Sequence, residues 1–214
     1  MTTFLLTSMT IILAVLGSIA GNRWIGKLYA KSTAILSYPE TMAQRSRIRE
    51  RFLAPLLAFL FTFTALQHAD LVPLRLYFVI GFEYFLILYT FTDFEQEVIF
   101  DDMLLPFAIF GALYTTMLGL PVLDHLLAAV AGGAVFLLLA VLTRGGIGGG
   151  DIKLVAALGL WLGTDSLLFV GISGLILGGI AALLLLVTGK KKRGEYFAYG
   201  PCFTIVALFA TLFC

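Results

Sequence analysis

The sequence predicts an all-helical, polytopic membrane protein with about eight transmembrane helices. Of its 214 residues, 60% are hydrophobic and 13% are charged, whereas soluble domains average about 45–50% and about 25%. Apolar runs of about 20 residues, the length that crosses a bilayer as a helix, recur along the chain. The mean hydropathy is +1.02. This composition excludes intrinsic disorder and an ordinary water-soluble fold.

The first apolar run, residues 4–22, is predicted to be a retained transmembrane helix and not a secretory signal. A secretory signal carries basic residues before its apolar core. Here no basic residue precedes the run, whereas Arg23, Lys27 and Lys31 follow it. We therefore expect the N-terminus to lie outside, and residues 1–51 to form one transmembrane helix and a basic cytoplasmic loop.

Seven further apolar runs predict a membrane-embedded helix bundle over residues 52–214. Their approximate bounds are 52–67, 74–92, 102–120, 122–143, 152–164, 166–188 and 199–214. Turn-forming residues separate several of them, at 70–73, 119–121, 145–150 and 189–194. Two glycine pairs at i, i+4 spacing, Gly159/Gly163 and Gly174/Gly178, predict close packing between helices.

The basic residues predict the orientation of the chain. If residues 23–51 are cytoplasmic, alternation of the spans places thirteen of the fourteen basic residues on that side and leaves only Arg75 outside. Cytoplasmic loops of membrane proteins carry such an excess of Lys and Arg. We therefore expect both termini outside an inner (cytoplasmic) membrane, with any chemistry facing the cytoplasm.

Acidic residues are concentrated between the third and fourth predicted helices. Residues 93–102 contain no basic residue and five acids: Asp93, Glu95, Glu97, Asp101 and Asp102. A solvated loop charge, or a cap at the start of the next helix, explains any one of them taken alone.

A glycine-rich run, residues 145–150, ends in Asp151. It fits neither the dinucleotide-binding fingerprint nor a P-loop, because the required spacing and the Gly-Lys-Ser/Thr sequence are absent. Asp151 could simply cap the helix that follows. Alternatively, glycines without side chains leave room for an extended substrate beside the carboxylate.

Asp93 and Asp151 together suggest a specific chemistry. The predicted topology places both at the same membrane face, where a small helix bundle could bring them close. Two close carboxylates cannot both ionise cheaply, so one keeps a proton while the other stays charged. Aspartyl proteases use this asymmetry: the ionised group activates a water, and the protonated group hydrogen-bonds the scissile carbonyl. Such a mechanism needs neither a metal nor a covalent intermediate.

With these residues identified, the sequence resembles the type IV prepilin peptidase (leader peptidase) family of membrane aspartyl proteases. Gly148, Gly150 and Asp151 match the Gly-x-Gly-Asp motif that carries the second catalytic aspartate of the family. Residues 152–163, which follow it, resemble the usual sequence of the family at this place. Asp93 matches the first catalytic aspartate. The presenilin and signal-peptide-peptidase branch shares Gly-x-Gly-Asp, but its Tyr-Asp and Pro-Ala-Leu motifs are missing here.

Further positions support the resemblance, which extends over about residues 85–214. Asp101 stands at the aspartate of a Pro-Asp pair, with Phe100 in place of the proline. Gly200 and Pro201 match a Phe-Gly-Pro segment before the last helix. Lys153, two residues after Asp151, is expected to pair with the acid cluster or with a lipid phosphate.

The resemblance implies an endopeptidase that removes the basic leader from type IV prepilin or pseudopilin precursors at the cytoplasmic membrane face. We expect these precursors and membrane lipids as partners, and no nucleic acid. Many family members also carry paired Cys-x-x-Cys motifs that bind zinc and are associated with N-methylation of the product. Residues 23–51 contain no cysteine. We therefore expect no zinc and no other cofactor, and N-methylation is not implied for this chain.

Two alternatives remain open from the sequence. Glu95, Glu97 and Asp102, with Asp101, could attract the basic leader, or they could simply be solvated at the interface. The chain could also be a non-catalytic transporter or a pilus-assembly scaffold that uses Asp93 and Asp151 as an ion or proton site. Acids within the membrane and an inverted repeat would favour this second reading.

Overall fold

The computed structural model describes residues 2–68, 72–189 and 199–213, which form seven α-helices and no strand. The helices are α1 (Thr2–Lys31), α2 (Met42–Gln67), α3 (Pro73–Gln96), α4 (Asp101–Met117), α5 (Val122–Leu142), α6 (Gly149–Val187) and α7 (Gly200–Phe213). A short 3₁₀ turn, Thr33–Ile35, lies between α1 and α2. The prediction of an all-helical chain is confirmed. Three features of the sequence lie outside the described residues. They are Asp70 of the predicted turn at 70–73, the four basic residues at 190–193, and residues 197–198, which begin the segment 197–201 that resembles Phe-Gly-Pro.

Four helices of the described residues are long and apolar enough to cross a membrane. They are Leu5–Lys31, Pro73–Gln96, Val122–Leu142 and Gly149–Val187. The number of spans, predicted as eight, and the predicted orientation stay predictions.

The chain divides into two compact units, Met1–Val98 and Ile99–Cys214. This division reflects packing, and the predicted functional boundary after residue 51 stays a prediction.

The first unit contains α1, α2 and α3, and it differs from the sequence prediction in the polar stretch 23–51. Helix α1 continues to Lys31 and α2 already begins at Met42, so only residues 32–41 connect the two helices. Ten of the 29 residues in this stretch are Arg, Lys, Gln or Glu, which are good helix formers. Because hydropathy detects the apolar part of a helix and not its polar ends, the prediction of a loop was wrong over most of these residues.

The second unit contains α4 to α7, and α6 packs against each of the other three helices. At Gly163 the backbone of α6 leaves the helical conformation, with φ 70° and ψ −176°, a combination that essentially only glycine adopts. The two predicted helices 152–164 and 166–188 are therefore the two halves of α6. The carboxylate of Asp124 on α5 accepts hydrogen bonds from the Thr164 backbone N–H (3.1 Å) and hydroxyl (2.6 Å), which caps the second half.

The predicted packing role of the paired glycines is confirmed. A Cβ built on Gly159 would lie 2.4 Å from the backbone nitrogen of Ala129 on α5. On the second half of α6, a Cβ on Gly174 or Gly178 would lie 2.3 Å from the ring of Phe203 or Tyr199, respectively. These glycines let neighbouring helices approach more closely than any side chain would allow.

Candidate active site

Asp93 lies in the last turn of α3, in the first unit. Its side chain is only 2% exposed. Its backbone carbonyl accepts a hydrogen bond from the N–H of Glu97 (2.8 Å), the residue that ends the helix in the left-handed conformation with φ 53°. Asp93 is thus held at a defined helix end and does not lie in a solvated loop.

Glu95, two residues further on, does not fit the role that the sequence suggested for it. It is 1% exposed, and its carboxylate accepts hydrogen bonds from Arg49 Nε (3.0 Å) and the Tyr29 hydroxyl (2.8 Å). Its charge is therefore neutralised inside the unit, so the prediction that it attracts a leader from solution is wrong. Glu97 is half-buried and accepts a hydrogen bond from the Tyr38 hydroxyl (3.0 Å).

Asp151 lies in the first turn of α6, in the second unit, and is 1% exposed. Gly148 precedes the helix in an extended conformation, and its carbonyl accepts the N–H of Ile152 (3.2 Å). A carboxylate in this position interacts favourably with the positive end of the helix dipole.

The glycines before Asp151 have different surroundings. A Cβ on Gly150 would lie 3.1 Å from the Cβ of Ile99, whereas a Cβ on Gly149 would have nothing within 4 Å. Ile99 is itself buried. Gly150 therefore lets Ile99 pack closely against the first turn of α6.

We expect Gly150→Ala to lower the stability of the protein relative to Gly149→Ala by about 1 kcal/mol or more, because the added methyl group overpacks against Ile99. Thermal unfolding in one detergent would measure this difference. Gly149→Ala adds the same methyl group to the same helix turn in open space, so equal melting temperatures for the two variants would contradict the assignment.

The predicted pairing of Lys153 with the acid cluster is confirmed at Asp101. The Lys153 ammonium lies 2.7 and 2.8 Å from the two carboxylate oxygens of Asp101, the first residue of α4. The two side chains are 58% and 70% exposed, and exposed pairs of this kind contribute about 0–1 kcal/mol. This ion pair is thus a weak link between α4 and α6. Asp102, the next residue, is exposed.

Gly200 and Pro201 form the first turn of α7. Tyr199, directly before them, packs on Gly178 and stacks on Phe203 with ring centroids 6.4 Å apart. The sequence singled out Gly200 and Pro201 but not this tyrosine, whose position directly before Gly200 was the available signal.

Glu83 lies in the middle of α3 and is fully buried. One carboxyl oxygen accepts a hydrogen bond from the Thr64 hydroxyl of α2 (2.5 Å), and the other has no hydrogen-bond partner among the described residues. Glu83 thus links two helices of the first unit. Within the described part of the chain, no three His, Cys, Asp or Glu side chains are grouped so that they could hold a metal ion.

Several known proteins are similar to part of the chain. Curated relatives include the prepilin leader peptidase/N-methyltransferases of Neisseria gonorrhoeae (39% identical over 128 residues, 56% of this chain and 43% of the relative) and Aeromonas salmonicida strain A449 (32% over 134 residues, 59% and 46%). The protein of the same name from Bacillus subtilis strain 168 is 31% identical over 88 residues, 41% of this chain and 36% of the relative. The chain therefore spans less than half the length of these relatives.

No solved structure matches the chain. The model of the type IV leader peptidase family matches residues 80–183, which include Asp93 and Asp151. Over this segment, the chain is similar to the type IV leader peptidase family.

Proposed function

We propose that the chain is a membrane aspartyl endopeptidase that removes the basic leader peptide from type IV prepilin or pseudopilin precursors. The observation that carries this proposal is that the family match, residues 80–183, contains Asp93 and Asp151. Both aspartates are buried at helix ends, and burial is one of the factors that tune carboxyl groups for general acid–base catalysis.

In the proposed mechanism, Asp93 and Asp151 act as a pair on one peptide bond. One carboxylate takes a proton from the attacking water, and the other, protonated, donates a hydrogen bond to the scissile carbonyl and later protonates the leaving nitrogen. The two groups titrate as a coupled pair, so either could be the base in the free enzyme.

Cleavage is proposed to occur at the cytoplasmic face of the inner membrane. Thirteen of the fourteen basic residues support this orientation, because they fall on one side of the predicted topology. A precursor whose basic leader lies in the cytoplasm and whose apolar segment lies in the membrane would then present its cleavage site at this face.

We further propose that Glu97, Asp101 and Asp102 attract the basic leader. Asp101 and Asp102 are exposed, and Glu97 is half-buried. Each exposed pair would contribute about 1 kcal/mol or less, and salt would screen it.

The proposed function is tested by reconstituting the purified chain in liposomes with a prepilin precursor and analysing the product by mass spectrometry. We expect cleavage between the basic leader and the apolar segment, and a product with an unmodified N-terminal amine. The double variant Asp93→Asn/Asp151→Asn serves as the inactive control. An intact precursor after incubation with the unaltered chain would refute the proposed function.

Zinc chelators are expected to leave the cleavage rate unchanged, because the two carboxyl groups supply both the acid and the base. The rate is measured in the same liposomes before and after dialysis against a chelator. Loss of cleavage that added zinc restores would contradict the metal-free mechanism.

Glu83 is the one observation that favours the alternative of a transporter, because it is a buried acid within an apolar helix. We expect Glu83→Gln to preserve cleavage, since glutamine keeps an acceptor oxygen for Thr64, and we expect no proton flux into liposomes that contain a pH-sensitive dye. Proton flux that disappears in Glu83→Gln would instead support the transporter.

A further inference from the structure

We propose that the segment between α1 and α2, together with two arginines of α2, braces the last turn of α3 and thereby positions Asp93 for catalysis. This inference rests on the proposed function of Asp93. The α3 brace consists of Ser37, Tyr38, Arg45 and Arg49, all within the first unit. These residues belong to the polar stretch 23–51, for which the sequence suggested no role beyond a basic loop.

The backbone of the last turn of α3 is fully hydrogen-bonded. The last four carbonyls of a helix have no partner within the helix, and at an exposed end they bind water and the end frays. Here each of the four has a protein donor. The pairs are Asp93 with the Glu97 N–H (2.8 Å), Phe94 and Glu95 with Arg45 Nη1 (3.3 and 3.2 Å), and Gln96 with the Ser37 N–H (3.3 Å). The cation of Arg45 also lies at the negative end of the helix dipole, where it is stabilising.

Side chains add a second layer of contacts between the brace and α3. The amide of Gln96 accepts the Tyr38 N–H (3.0 Å) and donates to the Tyr38 carbonyl (3.2 Å), a two-point contact with the connecting segment. The Arg45 guanidinium lies 3.6 Å from the centre of the Tyr38 ring, a cation–π contact that holds both side chains in place. Gln96 itself is fully buried.

A buried charge pair forms the third layer. Arg49 and Glu95 are 2% and 1% exposed, and their side chains are 3.0 Å apart. Arg49 also donates to the Asn22 side chain, and Tyr29 donates to Glu95 (2.8 Å), so α1 and α2 both hold this residue of α3. Removing one member of such a pair leaves an uncompensated buried charge, which is strongly destabilising. The rotational position of the last turn of α3 is therefore fixed.

Asp93 lies in this same turn, two residues before Glu95. A catalytic group must be held within about 0.5 Å of its productive position, and a displacement of about 1 Å can reduce the rate by about a hundredfold. The brace suppresses fraying of the turn that carries Asp93. Arg45 and Arg49 are thus positioning residues, acting on Asp93 through the backbone and Glu95, and not catalytic residues.

Arg45→Gln is the variant that tests this inference, because Arg45 is half-buried and its loss leaves no buried charge unpaired. We expect its kcat for precursor cleavage to fall at least about tenfold with an unchanged KM, since the loss of an interaction needed only for correct alignment lowers kcat. Arg45→Lys keeps a cationic donor and should recover part of the rate. Arg47→Gln, on the exposed side of the same helix, is the matched control and should behave as the unaltered chain.

Amide hydrogen exchange of residues 93–98 provides a readout that does not depend on cleavage. We expect faster exchange in Arg45→Gln than in Arg47→Gln, because the end of α3 opens more often. Unchanged exchange would overturn the brace, and faster exchange with an unchanged kcat would overturn its positioning role. If the unaltered chain cleaves no precursor, the proposed function fails, whereas exchange still decides whether the brace holds the end of α3.

Arg49→Met and the double variant Arg49→Met/Glu95→Met examine the charge pair. The single variant leaves Glu95 buried without its cation and is expected to express poorly. The double variant removes both charges, so it should recover folding, but it should retain a reduced kcat and faster exchange at the end of α3. Full recovery of kcat in the double variant would show that the pair serves folding alone, which would overturn the positioning role of Arg49.

Discussion

Replacement of either Asp93 or Asp151 by asparagine is expected to reduce precursor cleavage by about 10²–10⁴-fold, the usual contribution of a general acid or base. Asparagine has nearly the same shape as aspartate and can accept a hydrogen bond, but it can neither take a proton from water nor deliver one. Both side chains are buried. The substitution removes a buried carboxyl group and adds no bulk, so both variants should still insert and fold.

The double variant distinguishes a working pair from two independent residues. If the two carboxyl groups act on the same bond, removing the second after the first should cost little more, because residues that act as a unit are strongly non-additive. Asp165→Asn, the same change at an exposed position of α6, should leave cleavage unaffected. Losses in the two single variants that multiply in the double variant would contradict a shared reaction step.

Gly159→Ala is expected to be the most damaging of the glycine substitutions, with a loss of stability of about 3 kcal/mol or more. The added Cβ would lie 2.4 and 2.5 Å from the backbone N and Cα of Ala129. A backbone cannot rotate away as a side chain can, so α5 and α6 would have to separate along their contact. Thermal unfolding and the yield of monodisperse protein in detergent would measure the effect.

Gly179→Ala is the matched control, because it lies in the same helix and its Cβ would meet nothing within 4 Å. Alanine is favoured over glycine in a helix by about 1 kcal/mol, so this variant should be as stable as the unaltered protein or slightly more stable. A Gly159→Ala protein as stable as Gly179→Ala would mean that the close approach of α5 to α6 is not required.

The sequence predicted features that depend on local composition. Apolar runs located the helices, and the i, i+4 glycines located the close contacts of α6 because small residues have few other uses at that spacing. The break between two predicted helices was found near Gly163, where glycine conformation and a cap from Asp124 coincide. Lys153 could be expected to find an acid, because it lies on the same predicted membrane face as the acid cluster.

Features that depend on distant residues could not be predicted. Glu95 was predicted to be a loop acid, and its partner Arg49 a loop base. The two residues are 46 positions apart in the sequence, so their pairing could not be predicted. Both belong to helices that extend beyond the apolar runs, and a hydropathy profile cannot detect such polar helix ends. The donors to the last carbonyls of α3 could not be predicted either. Ser37 and Arg45 donate to the backbone of α3, and such contacts do not depend on which residue types carry the carbonyls.

The interruption at Gly163 divides α6 into two shorter helical segments, or rods, joined end to end. The first rod carries Asp151 and packs on α5 through Gly159, while the second packs on α7 through Gly174 and Gly178. Because Asp124 gives the second rod its own N-terminal cap, each rod has its own helix dipole. Asp151 therefore lies in a helical segment of its own, which begins at Gly149 and ends at the interruption at Gly163.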